Sequence, residues 1–156
     1  MADDWHLQTV TIQRDVICRT VLEALPEWFG IPESIDAYVT AAMHQPMIAA
    51  YDKKVAIGFV SLCQHFPESF EVHSMGVLKS YHRAGIGRAL IDRAGAWVTA
   101  QNGRYLSVKT LGEDWQDDNY ARTRAFYRGV GFIPVEEFQT LWGDIPCLLM
   151  MKSVGP

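Results

Sequence analysis

The sequence predicts a mixed α/β domain, with a central sheet of about seven strands flanked by about four helices. Three observations carry the prediction. Short β-rich runs alternate with amphipathic stretches along all 156 residues, the pattern of strands interleaved with helices. Two of those runs are joined by the polar turn Asp52-Lys53-Lys54, which is hairpin spacing. No internal repeat, linker-like stretch or shift in composition divides the chain, so residues 1–156 read as a single domain.

Taken in order, residues 6–13, with Leu7, Val10 and Ile12, form a first strand, and residues 14–25 a helix stopped at the Pro26 turn. Pro32 suits the first turn of a second helix that runs to about His44 and carries Ile35, Tyr38, Val39 and Met43. The runs 47–51 and 55–63 make the hairpin, and residues 70–78 a fourth strand. A helix from Gly85 to about Ala100 places Ile86, Leu90, Ala94 and Trp97 on one stripe, and Asn102-Gly103 ends it as a carboxyl-terminal cap. Residues 105–111 are the fifth strand and residues 119–129 the fourth helix. The runs 132–140 and 147–152 close the sheet.

Composition removes several function classes. With 49% apolar residues, a chain of this size can bury roughly 70% of its unfolded surface without disulfides or metal. Fourteen Lys and Arg against eighteen Asp and Glu leave a formal net charge of -4, so the broad basic footprint of a nucleic-acid binder is missing. Cys18, Cys63 and Cys147 are odd in number and far apart. Without a Cys-x-x-Cys pair they read as buried thiols of a reducing compartment, not metal ligands. The acidic start Met1-Ala2-Asp3-Asp4 is unlike a signal peptide, and no apolar run nears the ~20 residues that span a bilayer. The expectation is a soluble, cytoplasmic protein with no membrane partner.

The most informative stretch is Val77-Leu78-Lys79-Ser80-Tyr81-His82-Arg83-Ala84-Gly85-Ile86-Gly87-Arg88-Ala89-Leu90. It passes from a strand through a glycine-bearing turn into an amphipathic helix. A helix amino terminus leaves about four N–H donors without intrahelical partners and carries partial positive charge, so a pyrophosphate fits there. Gly85 and Gly87 let it approach the backbone closely, and Arg83 and Arg88 add charge. A dinucleotide fingerprint would need a third glycine at position 90, which is Leu, and an acidic residue ending the next strand, which is absent. A Gly-x-x-x-x-Gly-Lys-Ser/Thr phosphate loop is also absent, so NAD and ATP fall away as ligands.

In this stretch the sequence resembles the GNAT superfamily of acetyl-CoA-dependent N-acetyltransferases. The family signature is Arg/Gln-x-x-Gly-x-Gly/Ala after a strand ending in an apolar Val. Here His82-Arg83-Ala84-Gly85-Ile86-Gly87 follows Val77. His82 departs from the usual Arg or Gln, leaving Arg83 or the backbone to supply what that side chain gives. Downstream, Asn119, Thr123-Arg124-Ala125-Phe126-Tyr127 and Gly131-Phe132 match a second family element. Trp28-Phe29-Gly30 in the first inter-helix loop extends the likeness over nearly the whole chain. The resemblance implies the GNAT fold, with its sheet splayed between strands four and five.

The resemblance also implies roles. Acetyl transfer needs a neutral amine, stabilisation of the tetrahedral oxyanion and a proton for the departing thiolate. In the family a backbone N–H near the end of strand four reaches the acetyl carbonyl. Met75, Gly76 and Val77 occupy that stretch, Gly76 either in a bulge or packed tightly. Glu71 stands where several members carry a glutamate base. Strand alternation places Glu71, His73, Met75 and Val77 on one face, so Glu71, His73 or a water chain takes the amine's proton. Tyr127 is implied as general acid to the sulfur and Asn119 as a hydrogen-bond partner of pantetheine or CoA. Phe126 and Phe132 read as packing. His6, His44 and His65 show no metal-ligand spacing and read as structural or surface groups.

The resulting expectation is an acyltransferase that moves the acetyl group of acetyl-CoA directly to a primary amine, with no metal and no covalent enzyme intermediate. Trp28 and Phe29, with the acidic loop Glu113-Asp114-Trp115-Gln116-Asp117-Asp118, suit a cationic small molecule or peptide end, Asp117 and Asp118 foremost. A non-catalytic acyl-CoA-binding sensor or interaction module of the same fold is the competing reading, and retention of Glu71 and Tyr127 weighs against it. A homodimer formed across an open sheet edge is left undecided by the sequence.

Overall fold

The computed structural model describes residues 4–155. Met1, Ala2 and Asp3 of the acidic start, and Pro156, lie outside the described residues. Seven strands and four helices follow one another as β1 (Trp5–Val10), α1 (Arg14–Glu23), α2 (Pro32–Ala42), β2 (Met47–Asp52), β3 (Val55–Phe66), β4 (Ser69–Val77), α3 (Ile86–Ala100), β5 (Tyr105–Leu111), α4 (Asp118–Gly129), β6 (Ile133–Trp142) and β7 (Ile145–Ser153). A short 3-10 turn over Lys79–Tyr81 precedes α3. The strands lie in the order β1-β2-β3-β4-β5-β7-β6. The β4–β5 pair is parallel, and β1–β2, β2–β3, β5–β7 and β6–β7 are antiparallel. No helix among the described residues is long and apolar enough to cross a membrane.

Two compact units share the chain, one formed by residues up to 63 with 73–96, the other by 64–72 with the segment from 97 onward. In the first, Ile17, Cys18, Val21 and Leu22 of α1 and Ile35, Val39 and Ala42 of α2 are buried with Met47, Ala49 and Phe59. The first strand stops at Val10, three residues short of the expected end, because Gln13 turns into the left-handed region (φ 58°) to start α1. The β2–β3 hairpin forms as expected around Lys53 (φ 56°) and Lys54. Along β4, Ser74 and Gly76 are buried while His73, Met75 and Val77 stay half-buried. A Cβ on Gly76 would stand 2.9 Å from Leu25 Cδ1 and 3.0 Å from Val21 Cγ1, so close packing against α1 is what requires glycine there.

In the second unit, β3 runs on to Phe66 and β4 begins at Ser69, leaving a tight turn at Pro67-Glu68 where the sequence suggested a six-residue loop. Asn102 takes the left-handed conformation (φ 67°) and Gly103 N–H donates to the Val98 carbonyl at 2.8 Å, the expected cap of α3. The parallel register runs from Ser69↔Tyr105 to Val72↔Val108 and ends there, although β4 continues to Val77 and β5 to Leu111.

Candidate functional site

The glycine turn belongs to the first unit. After β4, the 3-10 turn is tied down by two side chains: Lys79 Nζ bonds Glu27 Oε2 at 2.7 Å, and the Tyr81 hydroxyl donates to Asp52 Oδ2 at 2.5 Å. The Lys79 ammonium holds the Glu27 carboxyl below its ordinary value, and the bond to Asp52 raises the Tyr81 phenol. His82 Nε2–H donates to the Val77 carbonyl at 2.7 Å and its ring meets Trp28 edge-on, centroids 5.9 Å apart. His82, in the position where the family has Arg or Gln, therefore staples the turn to the end of β4.

Past this staple the backbone makes two left-handed steps, Arg83 (φ 66°) and Gly85 (φ 84°), before α3 begins. Nothing approaches within 4 Å of where a Gly85 Cβ would stand, so φ, not crowding, selects glycine. The first intrahelical bond is Ala89 N–H to Gly85 O at 3.0 Å. N–H groups earlier in that turn have no intrahelical acceptor. Arg83 and Arg88 are exposed, Ala84 and Gly87 half-buried, and Ile86 is buried as an anchor of α3. A braced loop ending in a helix amino terminus, with open space at Gly85, has the donor set for a diphosphate.

Trp28 and Phe29 serve the same unit as parts of an aromatic wall. Phe29 packs edge-on against Tyr38 (6.0 Å), and Tyr38 against the His73 ring (5.3 Å, 69° between planes). His73 Nδ1 lies 3.1 Å from Gln45 Nε2, and Ser61 Oγ donates to Gln45 Oε1 at 2.7 Å. Arg14 fixes the segment by donating to the carbonyls of Gln45 and Met43, both at 2.8 Å. Sequence reasoning missed Gln45, Ser61 and Arg14, since no periodicity relates the end of one helix to the middle of a strand.

In the second unit Glu71 is buried, and its carboxylate is held from two sides. His65 Nε2 stands 2.6 Å from Oε1, and Lys109 Nζ stands 3.2 Å from both oxygens. His65, expected to be a structural or surface group, is partly exposed and sits beside Glu71, because β3 runs on to Phe66. That signal was present in the sequence as two residues six apart across a Pro-bearing turn.

Along α4, Tyr127 is buried with its ring against Phe126 (5.3 Å) and Phe132 (5.4 Å). Asn119 Oδ1 accepts from Arg122, and its carbonyl accepts the Thr123 hydroxyl at 3.1 Å. Arg124 donates to the Leu111 carbonyl at 2.7 Å, holding α4 to the end of β5. Asp117 caps α4, its Oδ1 accepting from Asn119 N–H (2.9 Å) and Tyr120 N–H (3.1 Å). Asp118 is exposed in the first turn. Glu113 and Asp114 line a groove of about 370 Å³ with Glu136, Glu137 and Arg128. Burial pushes the Cys18 thiol up to about 11 and raises that of Cys147, so neither is a thiolate at neutral pH.

Residues 44–134 match the family model described as acetyltransferase (GNAT) domain. No curated protein sequence matches the chain. Among solved structures, a protein described as a GNAT-family acetyltransferase from Desulfovibrio desulfuricans superimposes with a TM-score of 0.83 at 19% identity, over 96% of this chain and 99% of its own. The aminoglycoside 6'-N-acetyltransferase of Enterococcus faecium gives 0.76 at 22% identity, over 97% and 98% of the two chains. The ribosomal-protein-S18-alanine N-acetyltransferase of Escherichia coli gives 0.77 at 12% identity, over 97% and 95%. Similar structures also include ones solved with coenzyme A or acetyl-CoA bound. At such identities the likeness is one of fold.

Proposed function

The chain belongs to the GNAT acetyltransferase family, and from that membership we propose that it transfers the acetyl group of acetyl-CoA directly to a primary amine of a small molecule or peptide. The observation that carries the reading is the braced turn from His82 to Arg88, with its two left-handed residues opening onto the amino terminus of α3. Its backbone N–H groups hold the diphosphate of the co-substrate, with Arg83 and Arg88 adding charge. Solved proteins of this fold with coenzyme A or acetyl-CoA bound support the same ligand. When bound, acetyl-CoA supplies an acyl group activated as a thioester.

The chain's own residues do the rest. A backbone N–H in the stretch Met75-Gly76-Val77 hydrogen-bonds the acetyl carbonyl oxygen. Glu71, held between Lys109 and His65, receives the amine's proton through water, and His65, half-exposed, passes it to solvent. Tyr127 gives a proton to the departing sulfur, and Asn119 bonds the pantetheine arm. Glu113, Asp114 and Asp118 favour a cationic acceptor over a neutral or anionic one.

Titration calorimetry with acetyl-CoA, NAD and ATP, followed by thiol release over a panel of cationic, neutral and anionic amines, tests the reading. Binding of acetyl-CoA alone and release of thiol with cationic amines is the expected result. Tight acetyl-CoA binding with no release from any amine would replace the enzyme by an acyl-CoA-binding module.

A further inference from the structure

We propose that Ser61 and Gln45 lock His73 in its neutral tautomer with the proton on Nε2, so that the ring is a hydrogen-bond donor in acetyl transfer and not the acceptor of the amine's proton. The second half rests on the acetyltransferase reading; the lock itself does not.

Ser61 is fully buried. Among the described residues its side-chain partner is Gln45 Oε1, 2.7 Å away, a normal O–H···O length. Were the amide turned the other way, the –NH₂ would face Ser61 and the hydroxyl proton would be left buried without an acceptor, at a cost of roughly 1–3 kcal/mol. The hydroxyl therefore donates to Oε1, and the amide orientation follows. Nε2 of Gln45 is then the atom facing His73 Nδ1 at 3.1 Å. An amide nitrogen only donates, so Nδ1 must be the acceptor, and the ring's single proton sits on Nε2. Protonating Nδ1 would set N–H against N–H.

Two further contacts make this a device rather than a passing geometry. Arg14 clamps the backbone carbonyls of Met43 and Gln45, so Gln45 cannot swing away with its loop. The Tyr38 ring stands edge-on to the imidazole, which resists the ring flip that would put Cδ2 in place of Nδ1 against Gln45. The titratable and charged groups that these contacts bring toward the ring include the Tyr38 phenol beside it and the Arg14 guanidinium behind Gln45. A nitrogen that already bears a proton cannot take another, so His73 orients a partner through Nε2–H, and proton acceptance passes to Glu71.

Nitrogen NMR of the full chain labelled at histidine tests the lock, with His73 assigned by the signal lost in His73→Asn. Near neutral pH, Nδ1 is expected as a bare nitrogen and Nε2 as a protonated one, in one tautomer. Gln45→Glu keeps an oxygen for Ser61 but presents a carboxylate oxygen to Nδ1. His73 then becomes an imidazolium and holds its second proton about one pH unit or more further up, a tenfold change in proton affinity. Gln45→Met, which removes both groups, leaves the two tautomers exchanging. A wild-type spectrum with Nδ1 protonated, or with the nitrogens averaged, overturns the lock even if neither variant folds. So does Gln45→Glu with an unchanged spectrum. In acetyl transfer, the acid limb of kcat/KM is expected to keep its midpoint in Gln45→Glu. A displacement matching that of the ring would make His73 the base. If no amine is acetylated, the reading of the site fails while the spectrum still decides the lock.

Discussion

Lys109 Nζ stands equidistant, at 3.2 Å, from the two carboxylate oxygens of Glu71. The pair is asymmetric in its exposure, the Glu71 side chain 8% exposed and that of Lys109 31%. Losing Lys109 leaves a buried carboxylate with only His65, whereas losing the Glu71 charge leaves an ammonium that water still reaches. Lys109→Met is therefore expected to destabilise the chain more than Glu71→Gln, by about 1–3 kcal/mol against about 1 kcal/mol. The double variant should fall short of their sum. Urea denaturation of the four proteins measures this, and strict additivity would dissolve the pair.

Glu71→Gln also separates the base from the buttress. A lysine-like ammonium with a pKa of about 10.4 is less than 0.1% neutral at pH 7, so loss of the base is expected to depress kcat by about 10²-fold near pH 7. The deficit shrinks as rising pH deprotonates the amine by itself. A pH-independent deficit would take the base role from Glu71.

Much of this architecture was legible because local chemistry dictated it. Asn102-Gly103 ended α3, Asp52-Lys53-Lys54 turned the β2–β3 hairpin, and Gly85 marked a backbone turn whose φ of 84° only glycine adopts easily. What escaped was set by tertiary contact. A third strand ending at Cys63 leaves His65 in a loop, whereas β3 runs on to Phe66 and brings His65 against Glu71. Gly76 read equally as a bulge or as tight packing; the methyl groups that decide the matter belong to Val21 on α1 and Leu25 just after it, fifty residues earlier in the chain. Asp117 looked like a loop acid while the fourth helix was begun at Asn119. Starting it one residue sooner makes Asp117 the amino-terminal cap.

The open space around Gly85 gives a clean test of the co-substrate loop. A methyl group there meets no neighbour, so Gly85→Ala is expected to cost only the left-handed backbone penalty, about 1 kcal/mol. Acetyl-CoA affinity should fall tenfold or more as the loop relaxes away from its donor geometry. Calorimetry that finds wild-type affinity in a folded Gly85→Ala variant would remove this turn from the site.

Tyr127→Phe keeps the ring that packs between Phe126 and Phe132 and deletes only the hydroxyl. Stability is expected to change by less than about 1 kcal/mol. Turnover should drop about 10²-fold with acetyl-CoA affinity little altered, because a proton delivered to the sulfur counts mainly in the transition state. Wild-type kcat in this variant would return Tyr127 to a packing role.

The Cys18 thiol makes stability fall in alkali. Burial lifts it from an ordinary 9.0 to about 11 in the fold, so the folded chain holds that proton more tightly than the unfolded one. Sign follows from linkage: the full stabilisation is present below the unfolded value and is lost as pH rises toward 11, at up to about 1.4 kcal/mol per pH unit. Cys18→Ala should lower stability through the cavity it leaves, yet flatten this alkaline slope. Equal slopes in the two proteins between pH 9 and 11 would contradict the assignment.

Asp117 and Asp118 are neighbours with separable duties. Asp117 accepts two backbone N–H bonds at the start of α4, so Asp117→Ala is expected to cost about 1 kcal/mol of stability through loss of the cap, in any salt. Asp118 is exposed, accepts none of these cap bonds and acts on a cationic acceptor only through its field. Asp118→Asn should therefore leave kcat near wild type and raise the acceptor KM severalfold at low ionic strength. The difference should fade as added salt shortens the Debye length to about 8 Å at 0.15 M and about 3 Å at 1 M. Measuring KM for a cationic and a neutral amine across that range isolates the term. A KM for the cation that ignores both salt and the Asp118 charge would sink the acidic-loop proposal, and the acetyl-CoA reading, which rests on the far side of the sequence at Gly85, would stand without it.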